Sequence, residues 1–229
     1  MEMPGTRSVR RTSLVEGLAS ALVITAMLAI FLLAPTEQTM GVAQRIVYVH
    51  VAVAWLGLAC FLLMAITGLL YLGHRDLAWD QWSQAAAELG WLTSSLTLLT
   101  GSLWAHAAWN TWWTWDPRLM TSFILWAIYS GYLLVRGSLE DVHLRARLAA
   151  VLALVGALDV PLVVMATRWF RGIHPQSPKM ELSMRAVLLL SVVAMSALAA
   201  VLLVRRRGQL RLEYLLEELQ EQAEIRNDR

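Results

Sequence analysis

Six runs of roughly twenty apolar residues, 15–34, 46–72, 85–104, 118–136, 148–167 and 183–204, constrain this chain more than any other feature. The hydrocarbon core of a bilayer takes about 20 consecutive apolar residues per helix, and within it each backbone donor and acceptor must be satisfied inside the segment. Composition agrees, with 58% hydrophobic and 16% charged residues against about 45–50% and about 25% in soluble domains. The expected fold is an all-α integral membrane protein of six transmembrane helices. The first run follows Arg7, Arg10 and Arg11, but its uninterrupted length exceeds the roughly 7–15-residue core of a secretion signal, so it reads as a retained helix.

Three regions follow: a cytoplasmic arm over 1–14, the membrane domain over 15–204, and a cytoplasmic tail over 205–229. In the tail Leu212, Leu215, Leu216 and Leu219 recur at helical spacing, which predicts an amphipathic helix lying on the membrane or docking a partner. The single cysteine, Cys60, falls inside an apolar run, so neither an internal disulfide nor a Cys-x-x-Cys motif is available. The net charge of +2 is small and its basic residues sit in short flanks. That pattern reads as membrane orientation and gives no support for nucleic-acid binding.

Lys and Arg accumulate on the cytoplasmic side. With the N-terminus inside, Arg7, Arg10, Arg11, Arg75, Arg136, Arg145, Arg147, Arg205, Arg206, Arg207, Arg211, Arg226 and Arg229 are inside. Arg45, Arg118, Arg168, Arg171, Lys179 and Arg185 are outside. Thirteen against six predicts both termini in the cytoplasm.

The loop between the third and fourth helices then faces outward. It reads W-A-H-A-A-W-N-T-W-W-T-W-D over 104–116, with five of the eleven tryptophans. An interfacial aromatic belt needs one or two indoles per helix end; a run this dense suits a platform for a large planar apolar ligand. The belt reading is kept for Trp55, Trp79, Trp82, Trp91, Trp126 and Trp169. His50, just past the first outer loop, and His174, in the third, share the predicted depth of this run. Neutral imidazole is a common metal ligand and a standard axial ligand of haem iron. A histidine near a helix end is also often only a hydrogen-bonded interface residue, and spacing alone leaves both readings open. Arg45, Arg118, Arg168 and Arg171 are placed on the same side, and guanidinium suits a porphyrin's carboxylates.

The segment W-x4-W-x2-W-W-x-W-D-x-R-L, with R-I-V-Y-V-H ahead of it, resembles the tryptophan-rich WWD segment of the haem exporter protein C (CcmC) family of System I cytochrome c maturation. The likeness runs from about residue 41 to 205. It implies an inner-membrane protein of bacterial cells that binds b-type haem non-covalently and transiently at its periplasmic face. It further implies delivery to a periplasmic haem chaperone (CcmE), with an ABC-type ATPase and permease (CcmA, CcmB) and a small single-span subunit (CcmD). The family's axial ligands correspond to His50 and His174, and its tryptophan segment to Trp104, Trp109, Trp112, Trp113, Trp115 and Asp116. Ala105 departs from the family's usual glycine, and His106 is an additional imidazole.

Other polar positions have plainer expectations. Asp116 before Pro117 is a good cap for the fourth helix. Asp159, at mid-membrane depth, either serves function or bonds backbone freed by Pro161. Thr93, Thr97, Thr100 and Ser102 form a polar stripe that suits helix packing. Glu88 is interfacial, and His74 and His143 are surface residues of cytoplasmic loops. The favoured reading is a haem carrier with no catalytic residues. The alternatives are a subunit of a membrane haem lyase, or a cation-coupled permease using Asp159 and Glu88.

Overall fold

The computed structural model describes residues 4–38, 40–170, 172, 174 and 180–227. Arg171, Lys179 and Arg229 of the charge count lie outside these. The described residues form α1 (Pro4–Leu32), α2 (Arg45–His74), α3 (Leu77–Trp109), α4 (Pro117–Ser138), α5 (Val142–Ala157), α6 (Asp159–Trp169) and α7 (Leu182–Asn227), with one 3-10 turn at Val42–Gln44. The chain is an all-α membrane protein.

Five stretches are long and apolar enough to cross a bilayer: Ser13–Leu32, Val42–His74, Pro117–Ser138, Val142–Trp169 and Leu182–Arg226. α3 is not among them, although its 33 residues reach about 50 Å at 1.5 Å per residue. Its hydroxyls lower the hydropathy but leave few polar groups unsatisfied. Thr93, Ser94, Ser95, Thr97 and Thr100 donate to the carbonyls of Leu89, Gly90, Trp91, Thr93 and Leu96, one turn back.

α2 and α3 run antiparallel and share the most extensive contact in the molecule. Gly57 is where they close up: a Cβ there would lie 3.3 Å from the Ser94 Oγ. The central core is built from Cys60, Phe61 and Met64 of α2, Ala86 and Ala87 of α3, and Leu125, Tyr129 and Tyr132 of α4, with Ala149, Ala153, Val160 and Val163 closing it. α1 packs along α7, joined near one end through Ile30 and Val187, with Tyr48 of α2, and near the other by an ion pair between Glu16 and Arg205.

One expectation needs correction. The helix foreseen at 148–167 is broken at Leu158 into α5 and α6. Pro161 has no N–H for the Ala157 carbonyl, and the Leu158 N–H turns back to the Val155 oxygen at 3.1 Å. The tail is helical, continuing α7 unbroken to Asn227 with Leu212, Leu215, Leu216 and Leu219 exposed. Trp91 and Trp126, expected in the aromatic belt, also bond between helices. Their indole nitrogens donate across the α3–α4 seam to Ser130 Oγ at 3.0 Å and Ser95 Oγ at 2.9 Å.

The end of the bundle opposite the tryptophan loop is tied by charge. Arg136 donates to both carboxylate oxygens of Asp80, at 2.6 and 2.8 Å, and both side chains are almost fully buried. Tyr214 of α7 joins them, accepting from Arg145 at 3.1 Å, while Arg206 pairs with Glu88 and Glu213. Glu88 is therefore an ion-pair partner of α7.

Candidate functional site

The tryptophan segment is shaped by its two helix ends. α3 stops at Asn110, whose backbone is left-handed (φ 55°, ψ 34°) and whose N–H returns to the His106 carbonyl at 2.9 Å. Asparagine tolerates that conformation better than most residues. The chain then doubles back, held to α3 by the Ser102 hydroxyl donating to the Trp112 carbonyl at 2.7 Å. α4 begins at Pro117 under the Asp116 cap, whose Oδ1 accepts from the N–H groups of Arg118 and Leu119 at 3.0 and 3.1 Å. Its Oδ2 accepts from the Thr114 hydroxyl at 3.1 Å.

Between these helix ends and α2 lies a partly open cavity, whose envelope of about 850 Å³ includes space continuous with solvent. His50, Ala54 and Gly57 of α2 form one wall; Ser94, Thr97, Gly101 and Trp104 of α3 form the next. Arg118, Ser122 and Leu125 of α4 face them, with Val163 of α6 at the side. Trp109, Trp113 and His174 complete the lining. Tyr129, fully buried, lies below the deep end and donates to the Gly57 carbonyl at 3.1 Å.

The two histidines thus come from distant parts of the chain to line one space. His50 is oriented by Thr100, with Nδ1 3.0 Å from the hydroxyl oxygen. Its ring also lies flat enough against α3 that a Cβ at Gly101 would stand 2.9 Å from its Cε1. The indoles are not one flat stack. Trp104 and Trp109 meet edge to face at 4.7 Å between centroids, and Trp113 and Trp115 at 5.8 Å. The indole nitrogens of Trp104 and Trp113 are buried and have no partner among the described residues. A buried donor without an acceptor costs about 1–3 kcal/mol, and at a cavity wall it is a group for a ligand to satisfy.

Other expected site residues stand outside the cavity lining. Trp115 is 74% exposed. Trp112 stacks on His106, 3.9 Å between centroids and 8° between planes. Asp116 is a helix cap beneath Gly172, where a Cβ would lie 3.0 Å from its Cγ. Arg45 sits over the Phe31 ring at 5.7 Å. Arg118 does reach the cavity and is held by Nη1 donating to the Val163 carbonyl at 2.5 Å. Asp159 is buried with Oδ2 unpartnered among the described residues, and it does not line the cavity.

Sequence reasoning missed Gly101, Ser102 and Val163. For Thr100-Gly101-Ser102 a signal was present: three small residues one turn before Trp104 leave room for a ring. Val163 enters only through the break between α5 and α6, and its neighbourhood to Arg118 had no local signal.

Over residues 6–222 the chain matches the family described as CcmC, heme exporter protein C. It is 35% identical over 167 residues to "Heme exporter protein C" of Bradyrhizobium diazoefficiens, covering 72% of this chain and 64% of that protein. It is 35% identical over 160 residues to a "Putative cytochrome c biosynthesis ccmC-like mitochondrial protein" of Arabidopsis thaliana, covering 69% and 60%. Against "Heme exporter protein C" of Escherichia coli K12 it is 30% identical over 181 residues, covering 77% and 74%. The matched region therefore spans less than two thirds of the first two relatives' length.

Proposed function

The chain belongs to the haem exporter protein C family, and from that premise we propose that it carries haem in the cavity between α2, α3 and α4, with His50 and His174 as the two axial ligands. The observation that carries this reading is that both imidazoles line one space together with Trp104, Trp109 and Trp113. The residues fit such a cargo. Small-molecule sites are mostly apolar with a few placed polar groups, and the lining of this cavity has that character. Neutral imidazole is a common axial ligand, the indoles supply apolar area, and Arg118 with the indole N–H groups of Trp104 and Trp113 supplies donors for carboxylates.

Two imidazoles saturate the iron axially, which leaves no position for a reacting molecule, so the protein acts as a carrier and not as an enzyme. Trp112, Trp115 and Asp116, outside the cavity lining, shape its mouth, and Arg45 lies too far toward α1 to line it. The Lys and Arg distribution supports a mouth on the periplasmic side of the bacterial inner membrane, with both termini in the cytoplasm. Binding without thioether links permits release to a periplasmic haem chaperone (CcmE). An ABC-type ATPase and permease (CcmA, CcmB) and a small single-span subunit (CcmD) complete the proposed assembly.

The test is an absorption spectrum of the purified protein titrated with haem, repeated with His50→Ala and His174→Ala. The expected result is a six-coordinate spectrum that each substitution abolishes. A spectrum unchanged in both variants overturns the ligand assignment.

A further inference from the structure

We propose that Thr100 is a positioning residue that fixes the tautomer of His50, holding the proton on Nδ1 so that the lone pair of Nε2 is presented for coordination. The inference rests on the haem-carrier reading above and extends it to a residue that makes no contact with iron.

A threonine hydroxyl carries a single hydrogen. Thr100 Oγ1 lies 2.6 Å from the Leu96 carbonyl, one helical turn back. A carbonyl oxygen only accepts, so that short contact uses the hydroxyl's one proton. Toward His50, whose Nδ1 is 3.0 Å away, the hydroxyl has only lone pairs left. The ring nitrogen facing it must therefore donate, and a neutral imidazole carries one N–H. The main-chain oxygen of Thr97, 3.4 Å from the same hydroxyl, is a second acceptor for that one proton.

The consequence is chemical. A metal-bound histidine commonly donates its other N–H to a carbonyl or carboxylate, which sets ring orientation and raises ligand basicity. Here a hydroxyl polarised by a helix carbonyl takes that part. Because Thr100 sits on α3 and His50 on α2, the hydrogen bond also spans the two helices that form the cavity walls. The following residue, Gly101, keeps the space that lets the ring approach.

The experiment compares full-length wild-type protein, Thr100→Val, Thr100→Ser and His50→Ala in detergent, with ferric haem as the probe. Valine keeps the shape and removes the acceptor. Thr100→Val is expected to bind haem about 10–100-fold more weakly, as loss of such an outer partner does. Its midpoint potential should move upward, because a less electron-rich imidazole stabilises ferric iron less. Thr100→Ser should return both quantities close to wild type. Nitrogen NMR of histidine-labelled wild-type protein without haem, assigned by the signal lost in His50→Ala, reads the tautomer with no substitution at residue 100.

Wild-type affinity and potential in Thr100→Val overturn the proposal. So does equal loss in Thr100→Ser, or a His50 signal protonated on Nε2. Retention of the haem spectrum in His50→Ala instead overturns the ligand reading on which the proposal stands, so the two failures are separable.

Discussion

Replacing Gly101 by alanine tests the seating of His50 directly. The added methyl would stand 2.9 Å from Cε1, 3.5 Å from Nδ1 and 3.8 Å from Nε2. Ordinary contact between such atoms begins near 3.4 Å, so the ring has to retreat by about 0.5 Å. Metal–ligand distances tolerate only about ±0.2 Å, and a hydrogen bond stretched toward 3.6 Å is no longer one. Without ligand the imidazole can turn away into the open cavity, and little stability is lost. With iron bound it cannot, and the overpacking strain of about 1–3 kcal/mol falls on the complex. At about 1.4 kcal/mol per factor of ten, haem affinity should drop roughly five- to 150-fold. The assay is a haem titration followed by absorbance, paired with a thermal melt of the unloaded protein in the same detergent. Unchanged affinity in Gly101→Ala refutes the seating argument. A large fall in melting temperature with unchanged affinity refutes it equally, because the methyl would then act on the fold and not on the ligand.

Two further outcomes follow from burial. Trp104, 6% exposed at the cavity wall, and Trp115, 74% exposed outside it, should separate: Trp104→Ala weakens haem binding by the purified protein, and Trp115→Ala leaves it near wild type. Equal loss in both, measured by the same titration, refutes the distinction. At the other end of the bundle, Asp80→Ala strands a buried guanidinium and should cost about 3–5 kcal/mol. The double variant with Arg136→Met should recover most of the lost melting temperature, and a single variant that melts like wild type refutes the account.

Much of the site was legible along the chain, for reasons particular residues make plain. His50 follows an arginine-flanked outer turn and the tryptophans sit between two apolar runs, so hydropathy and charge alone put them at one depth. The Asp116–Pro117 pair announced the start of α4, and the structure has that cap. Depth, however, is a one-dimensional quantity, and it says nothing about which residues at that depth share a space. Trp112 and Trp115 have the same depth as Trp113 yet do not line the cavity, because the return of the chain after Asn110 and the Ser102–Trp112 bond rotate them outward. Arg45 and Arg118 looked equivalent as external cations; packing gave one to Phe31 and the other to the cavity.

What the amino-acid order determines by itself is the membrane character, the helix count within one break, and the end of the bundle where the aromatic and imidazole groups gather. These follow from local quantities: apolar length, flanking charge, proline and cap chemistry. The tertiary structure alone decides which groups meet. It pairs Thr100 with His50, makes room for the ring at Gly101, and brings Val163 to Arg118 through the break at Leu158. Those contacts join residues 45 to 51 positions apart, and no local pattern encodes them because the packing of helix against helix sets them.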